Sequence, residues 1–144
     1  MLKQNEINQK LLQTVYVNAP ETIKNILSDT DIRLDIEPGW FDIIDKFLKK
    51  FNEINNVGIK IIQIKQKFGG LRIYIGYPDE MTNDVMSVAL RVKTEVFIAE
   101  KEADVTCELC GVKNDSVSVR APIFWRWNCC DKCFEKKCLE LKVN

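Results

Sequence analysis

The chain reads as an α+β protein in which helices pack on a β-hairpin and a small metal-stapled ribbon closes the C-terminal end. Three observations carry this expectation. Residues 40–54 hold the strongest helical periodicity in the chain, and residues 59–75 change to a period of two around Gly69-Gly70. Two Cys-x-x-Cys strings, Cys107 to Cys110 and Cys130 to Cys133, stand nineteen residues apart in the last third. With 144 residues and 46% hydrophobic content, the chain is long and apolar enough to build a core of ordinary size.

The elements follow in order. Ile7, Leu11, Leu12 and Val15 fall at helical spacing over residues 5–17, Pro20 stops that pattern, and residues 21–27 form a short second helix. Residues 28–37 are a polar connection. Pro38-Gly39 then opens the main helix, Pro38 standing where a missing N–H costs nothing. Trp40, Phe41, Ile43, Ile44, Phe47, Leu48, Phe51 and Ile54 give it a broad apolar stripe, and Asn55, Asn56 and Gly58 end it. Ile59, Ile61, Ile62 and Ile64 interleave with Lys60, Gln63 and Lys65 as a strand. Phe68-Gly69-Gly70 is a turn, and Leu71, Ile73 and Ile75 alternate with Arg72 and Tyr74 as the returning strand. A long helix covers residues 80–102, with Val85, Val88, Ala89, Val92, Val96 and Ala99 on one face. Residues 116–120 and 123–127 are two short strands between the cysteine pairs, and residues 130–142 a terminal helix.

This gives a helical N-terminal extension (1–37), an α-β-β-α body (38–104), and a ribbon with its terminal helix (105–144). A lone hairpin is marginal in water, so its apolar face must pack on the helices.

Two Cys-x-x-Cys turns let four thiolates converge on one metal, so Cys107, Cys110, Cys130 and Cys133 are the expected ligands of a structural Zn²⁺. There are six cysteines and no histidine, which removes the commonest general base and restricts ligands to thiolates and carboxylates. Four thiolates leave no open coordination position, so the site braces and does not catalyse. Cys129 adjoins Cys130 and leaves the ligand register open; with Cys138 it otherwise reads as a small apolar packing residue. No secretory segment opens the chain and no apolar run approaches a membrane span, pointing to a reducing cytoplasm where paired cysteines bind metal.

Lys plus Arg and Asp plus Glu each number 21, so the neutral chain has no bulk attraction for nucleic acid or anionic membrane. Two local constellations remain. Lys65, Lys67, Gly69, Gly70, Arg72 and Tyr74 place cations around a glycine turn whose backbone N–H groups suit a phosphate or carboxylate. No P-loop string is present, and a tight hairpin with charged outer faces explains the same residues. Trp125-Arg126-Trp127 with Arg120 suits stacked bases and phosphates, against the plainer reading of Ile123, Trp125 and Trp127 as a ribbon core. Asp42 and Asp45 on the main helix are the nearest thing to a catalytic carboxylate pair, and solvated helix faces look the same.

The string Lys65-Gln66-Lys67-Phe68-Gly69-Gly70-Leu71-Arg72-Ile73-Tyr74 resembles the Lys-x-Lys-Phe-Gly-Gly-Leu-Arg-x-Tyr signature of a family of small bacterial and phage proteins. In that family a Gly-Trp-aromatic helix start precedes the signature and a Cys-x-x-Cys-Gly knuckle follows it. Here these correspond to Gly39-Trp40-Phe41 and to Cys107 through Gly111. The resemblance implies no catalytic residue. It implies a phage-type accessory or anti-defence protein that binds or sequesters a host component. The basic glycine hairpin and the closed metal site add a small anionic, nucleotide-like ligand as the other partner class, and the absence of histidine and of a spaced catalytic constellation points away from an enzyme. A nucleic-acid-binding zinc ribbon is the alternative.

Overall fold

The computed structural model describes residues 1–29, 31–121 and 125–143. Its five helices are α1 (Gln4–Gln13), α2 (Glu21–Asp29), α3 (Phe41–Ile54), α4 (Asn83–Asp104) and α5 (Asp131–Val143). Strands β1 (Arg33–Asp35), β2 (Lys60–Lys67) and β3 (Gly70–Gly76) form one sheet in that order; β4 (Ser118–Arg120) and β5 (Trp127–Cys129) form a second. The protein is therefore mixed α+β with a cysteine cluster near its C-terminal end. Among the described residues no helix is long and apolar enough to cross a membrane.

The expected main helix forms as α3, entered through a 3-10 turn at Pro38–Trp40. It buries Ile43, Ile44, Phe47, Leu48, Phe51 and Ile54. The Thr82 hydroxyl accepts from Val85 N and caps α4, whose buried residues Val85, Ala89, Val92, Ala99 and Ala103 continue the same stripe. Ile64, Leu71 and Ile73 from the sheet share one core with both helices and with Ile23 and Leu27 of α2. In α1 the deeply buried side chain is Asn8, which donates to Ile32 O, while Ile7 and, beyond the helix end at Gln13, Val15 are exposed.

Residues 28–37 are more than the polar connection expected of them. Their last part forms β1, which pairs parallel with β2 in the register Leu34 opposite Ile64. Ile32, Leu34 and Ile36 are buried and alternate with Arg33, Asp35 and Glu37. Three apolar side chains make a short signal, and only a waiting partner strand turns it into sheet.

The hairpin turn is tighter than Phe68-Gly69-Gly70. Lys67 pairs with Gly70, leaving only Phe68 and Gly69 in the loop, at φ 54° and 83°. Two left-handed residues define a type I′ turn, where Asn-Gly is preferred and Phe is unfavourable. The second ribbon strand runs over Trp127–Cys129, later than the expected 123–127; Ile123 lies outside the described residues. In this register Asn128 N donates to Glu108 Oε1 and Asn128 O accepts from Glu108 N, each at 2.8 Å.

Candidate functional site

The four cysteine sulfurs of Cys107, Cys110, Cys130 and Cys133 all lie within 4.8 Å of one another and could hold one metal ion. Cys110 Sγ and Cys130 Sγ are 3.8 Å apart. Cys129 is not one of the four; it is fully buried beside them, and burial pushes its thiol up to about 11. That resolves the open register in favour of Cys130, with Cys129 as packing.

Local backbone geometry builds the knuckle. Gly111 takes φ 84° and donates its N–H to Cys107 O at 2.8 Å, folding the chain back so both sulfurs of the first pair point together. Cys107 N donates to Val112 O at 2.8 Å. Burial opposes ionisation of Cys107, but N–H groups of Cys110, Cys130 and Leu109 outweigh it and hold that thiol at about 7. Burial and the neighbouring sulfurs drive the Cys110 and Cys133 thiols upward instead. One thiolate thus forms readily, and charging the rest calls for a cation among them. The core around the quartet is small, made of Leu109, Val117, Trp127 and Phe134 against Cys107, Cys129 and Cys130.

The knuckle is tied to the body through Glu108, which follows Cys107 in the chain and is 1% exposed. Its Oε1 accepts from Gln66 Nε2 and from Asn128 N, each at 2.8 Å. Its backbone N–H donates to Asn128 O, and its carbonyl accepts from Gly39 N, again at 2.8 Å. Burial raises the Glu108 carboxyl to about 7, against the lowering effect of the Gln66 and Asn128 donors. Asn128 Nδ2 donates to Ala103 O and Asp104 O, capping the last carbonyls of α4. Trp40, wholly buried, donates its indole N–H to Thr106 O at 3.0 Å. Among the described residues Glu108 Oε2 and Asn128 Oδ1 are buried without a partner.

Gln66, Glu108 and Asn128 were not singled out in the sequence. Gln66 carried a signal nonetheless. It stands at an inward position of β2, two residues after Ile64, where a polar side chain demands partners. It supplies them twice over, since its Oε1 accepts from Gly69 N at 3.2 Å and its amide also reaches Arg126 O.

The expected ligand-binding residues come together on the outward side of the sheet. Lys65 lies directly across from Arg72, Gln63 from Tyr74, and Lys67 from Gly70. Lys65 Nζ stands 5.6 Å from the Tyr74 ring centre. Phe68 extends from the tip, 68% exposed, with Lys67 and Arg126 at 5.7 and 5.5 Å from its ring. Gly69 leaves no room for a side chain, since an added Cβ would sit 2.6 Å from Val119.

The second constellation divides. Arg120 pairs with Asp131 at 2.7 Å and stacks at 5.2 Å from the Phe134 ring, so it serves the ribbon. Trp127 is half-buried under Lys137. Trp125 meets Trp127 edge-on at 6.1 Å, as the ribbon-core reading expects, but remains about half exposed, and Arg126 turns to the hairpin tip. Asp45 is engaged by Thr22 at 2.6 Å and Lys49 at 3.0 Å, and the Thr22 hydroxyl first among these holds its carboxyl low. Asp42 and Asp45 line an open groove of about 710 Å³ with Glu102, itself paired to Lys46 and Lys113.

No family model matches the chain, and neither the curated proteins nor the solved structures contain a match to it.

Proposed function

We propose that this is a non-catalytic binding protein that grips an anionic partner with the outward face of β2 and β3, braced by a structural Zn²⁺ on the four cysteines. The observation that carries the reading is the clustering of Lys65, Lys67, Arg72 and Tyr74 on one open face. Among the described residues none of these cations has a carboxylate partner, although the chain holds as many acids as bases. Cations left unpaired in a neutral protein are available to an external anion.

The metal assignment rests on donor chemistry. Soft thiolates in a tetrahedral set favour zinc, and metal–sulfur bonds of about 2.3 Å place sulfurs roughly 3.8 Å apart. The Cys110–Cys130 separation of 3.8 Å agrees. With all four positions taken by sulfur, the ion has no vacancy for substrate. The resemblance to small phage proteins supports an accessory or anti-defence role against a host protein, and the cationic hairpin adds a nucleotide-like anion as the other partner class.

The test is a pull-down from a host lysate and a panel of anionic ligands with metal-loaded wild type and the K67E/R72E variant. Charge reversal is expected to abolish specific capture. Unchanged capture by the variant, with the fold intact by circular dichroism, would reject this face as the recognition surface.

A further inference from the structure

We propose that the anion this face takes is single-stranded nucleic acid, with a base stacked on Phe68 and phosphates on Lys65, Lys67, Arg72 and Arg126. The inference rests on the preceding reading of the face as the binding surface and names its partner.

The first argument is the tip itself. Phe68 is a non-glycine residue in the left-handed region, in a turn that asparagine would occupy without strain. Its ring packs into no core: it is 68% exposed, and cations are what lie near it. A strained, solvated aromatic held outward on a rigid turn is a surface with a use for that ring. The turn is rigid because Gln66 ties Gly69 N to Glu108 and the cysteine knuckle.

The second argument is the alternation of rings and cations. Tyr74 has Lys65 beside it and Phe68 has Lys67 and Arg126; Trp125, next in sequence to Arg126, is about half exposed but stands edge-on to Trp127 at 6.1 Å. Separate rings such as Tyr74 and Phe68, each set beside lysine or arginine, are the arrangement that stacks bases and follows the backbone charge. A protein partner would call for the reverse, an apolar centre poor in lysine. Duplex bases are already stacked and closed to a ring at a hairpin tip, so the single strand is the form that fits. Overall neutrality does not oppose this, because none of these four cations is paired among the described residues.

The test is fluorescence anisotropy of the full, metal-loaded chain with labelled oligo(dT) and oligo(rU) of about twelve nucleotides, within the usual site sizes. A labelled duplex of the same length is the comparison. Binding at low salt should fall with a log–log slope of about −3, the value for four phosphate contacts on a single strand. K67A/R72A should reduce that slope by roughly 1.4, the share of two contacts. F68N, which suits the turn and so keeps the fold, should weaken binding roughly 5- to 150-fold, the loss of one base stack, with the slope unchanged. Flat titrations at low salt, duplex bound as tightly as single strand, or affinity indifferent to F68N each overturn the inference. Flat titrations together with charge-sensitive capture of a protein would retire this proposal and leave the preceding one standing.

Discussion

Gln66 donates its side-chain amide to Glu108 Oε1 at 2.8 Å, and this buried contact joins the outward-facing hairpin to the four-cysteine knuckle. The two residues are 42 positions apart in the chain. Removing Gln66 leaves Glu108 with one donor on Oε1 and none on Oε2, and leaves Gly69 N without its acceptor. Q66M should therefore cost about 1–3 kcal/mol in denaturant unfolding of the metal-loaded protein. A double-mutant cycle with E108A should show coupling of at least about 0.5 kcal/mol; additivity would mean the contact carries no energy.

Gly39 lies against the knuckle backbone. A Cβ added there would stand 2.3 Å from Cys107 O and 2.4 Å from the Glu108 carbonyl carbon. Backbone cannot step aside as a flexible side chain can, so G39A should cost about 3 kcal/mol or more. Thermal unfolding and metal content measured together check this: Tm should fall and the metal should bind more weakly.

Metal removal should act regionally. The small core around the cysteines cannot hold the ribbon alone, and a structural site contributes on the order of 10 kcal/mol at neutral pH. Chelation should raise amide exchange across residues 105–143 while the α3 and α4 core stays protected. Hydrogen exchange that is uniform before and after chelation would contradict a bracing role.

Tyr16 gives a pH signature at the other end of the molecule. Its hydroxyl accepts from Ile36 N at 3.1 Å and lies 3.2 and 3.1 Å from Leu34 O and Ile36 O, closing the open edge of β1. Burial raises its phenol to about 12 from an ordinary value of 10. The folded state therefore holds this proton more tightly than the unfolded chain. Its contribution is intact below pH 10 and is lost as pH climbs toward 12, amounting to about 3 kcal/mol. Y16F should remove that alkaline component of the stability profile. At neutral pH it should cost about 1–3 kcal/mol, because Ile36 N–H is left unpaired.

Phe68 should be exchangeable for stability at the expense of binding. F68N places asparagine at the first position of a type I′ turn and should raise stability by about 0.5–1 kcal/mol in urea unfolding. A destabilised F68N would mean that the Phe68 ring supports the fold and is not held out for a partner.

The sequence by itself determined the elements whose signals are local. The apolar stripe from Ile43 to Ile54, the period-two run to either side of Gly69 and the Thr82-capped helix each repeat often enough to name their own structure. The cysteine quartet was equally legible, because ligand spacing is written along the chain. Strand β1 offered only Ile32, Leu34 and Ile36, and became sheet because β2 lay ready beside it. Tertiary structure alone decided which cysteine of the adjacent pair faces the other sulfurs. It also decided that Arg120 serves the ribbon, and that Gln66, Glu108, Asn128 and Gly39 meet at one junction. The reason is that buried polar groups must find partners wherever the fold brings donors and acceptors together, and those partners lie too far apart in sequence for any period to show them.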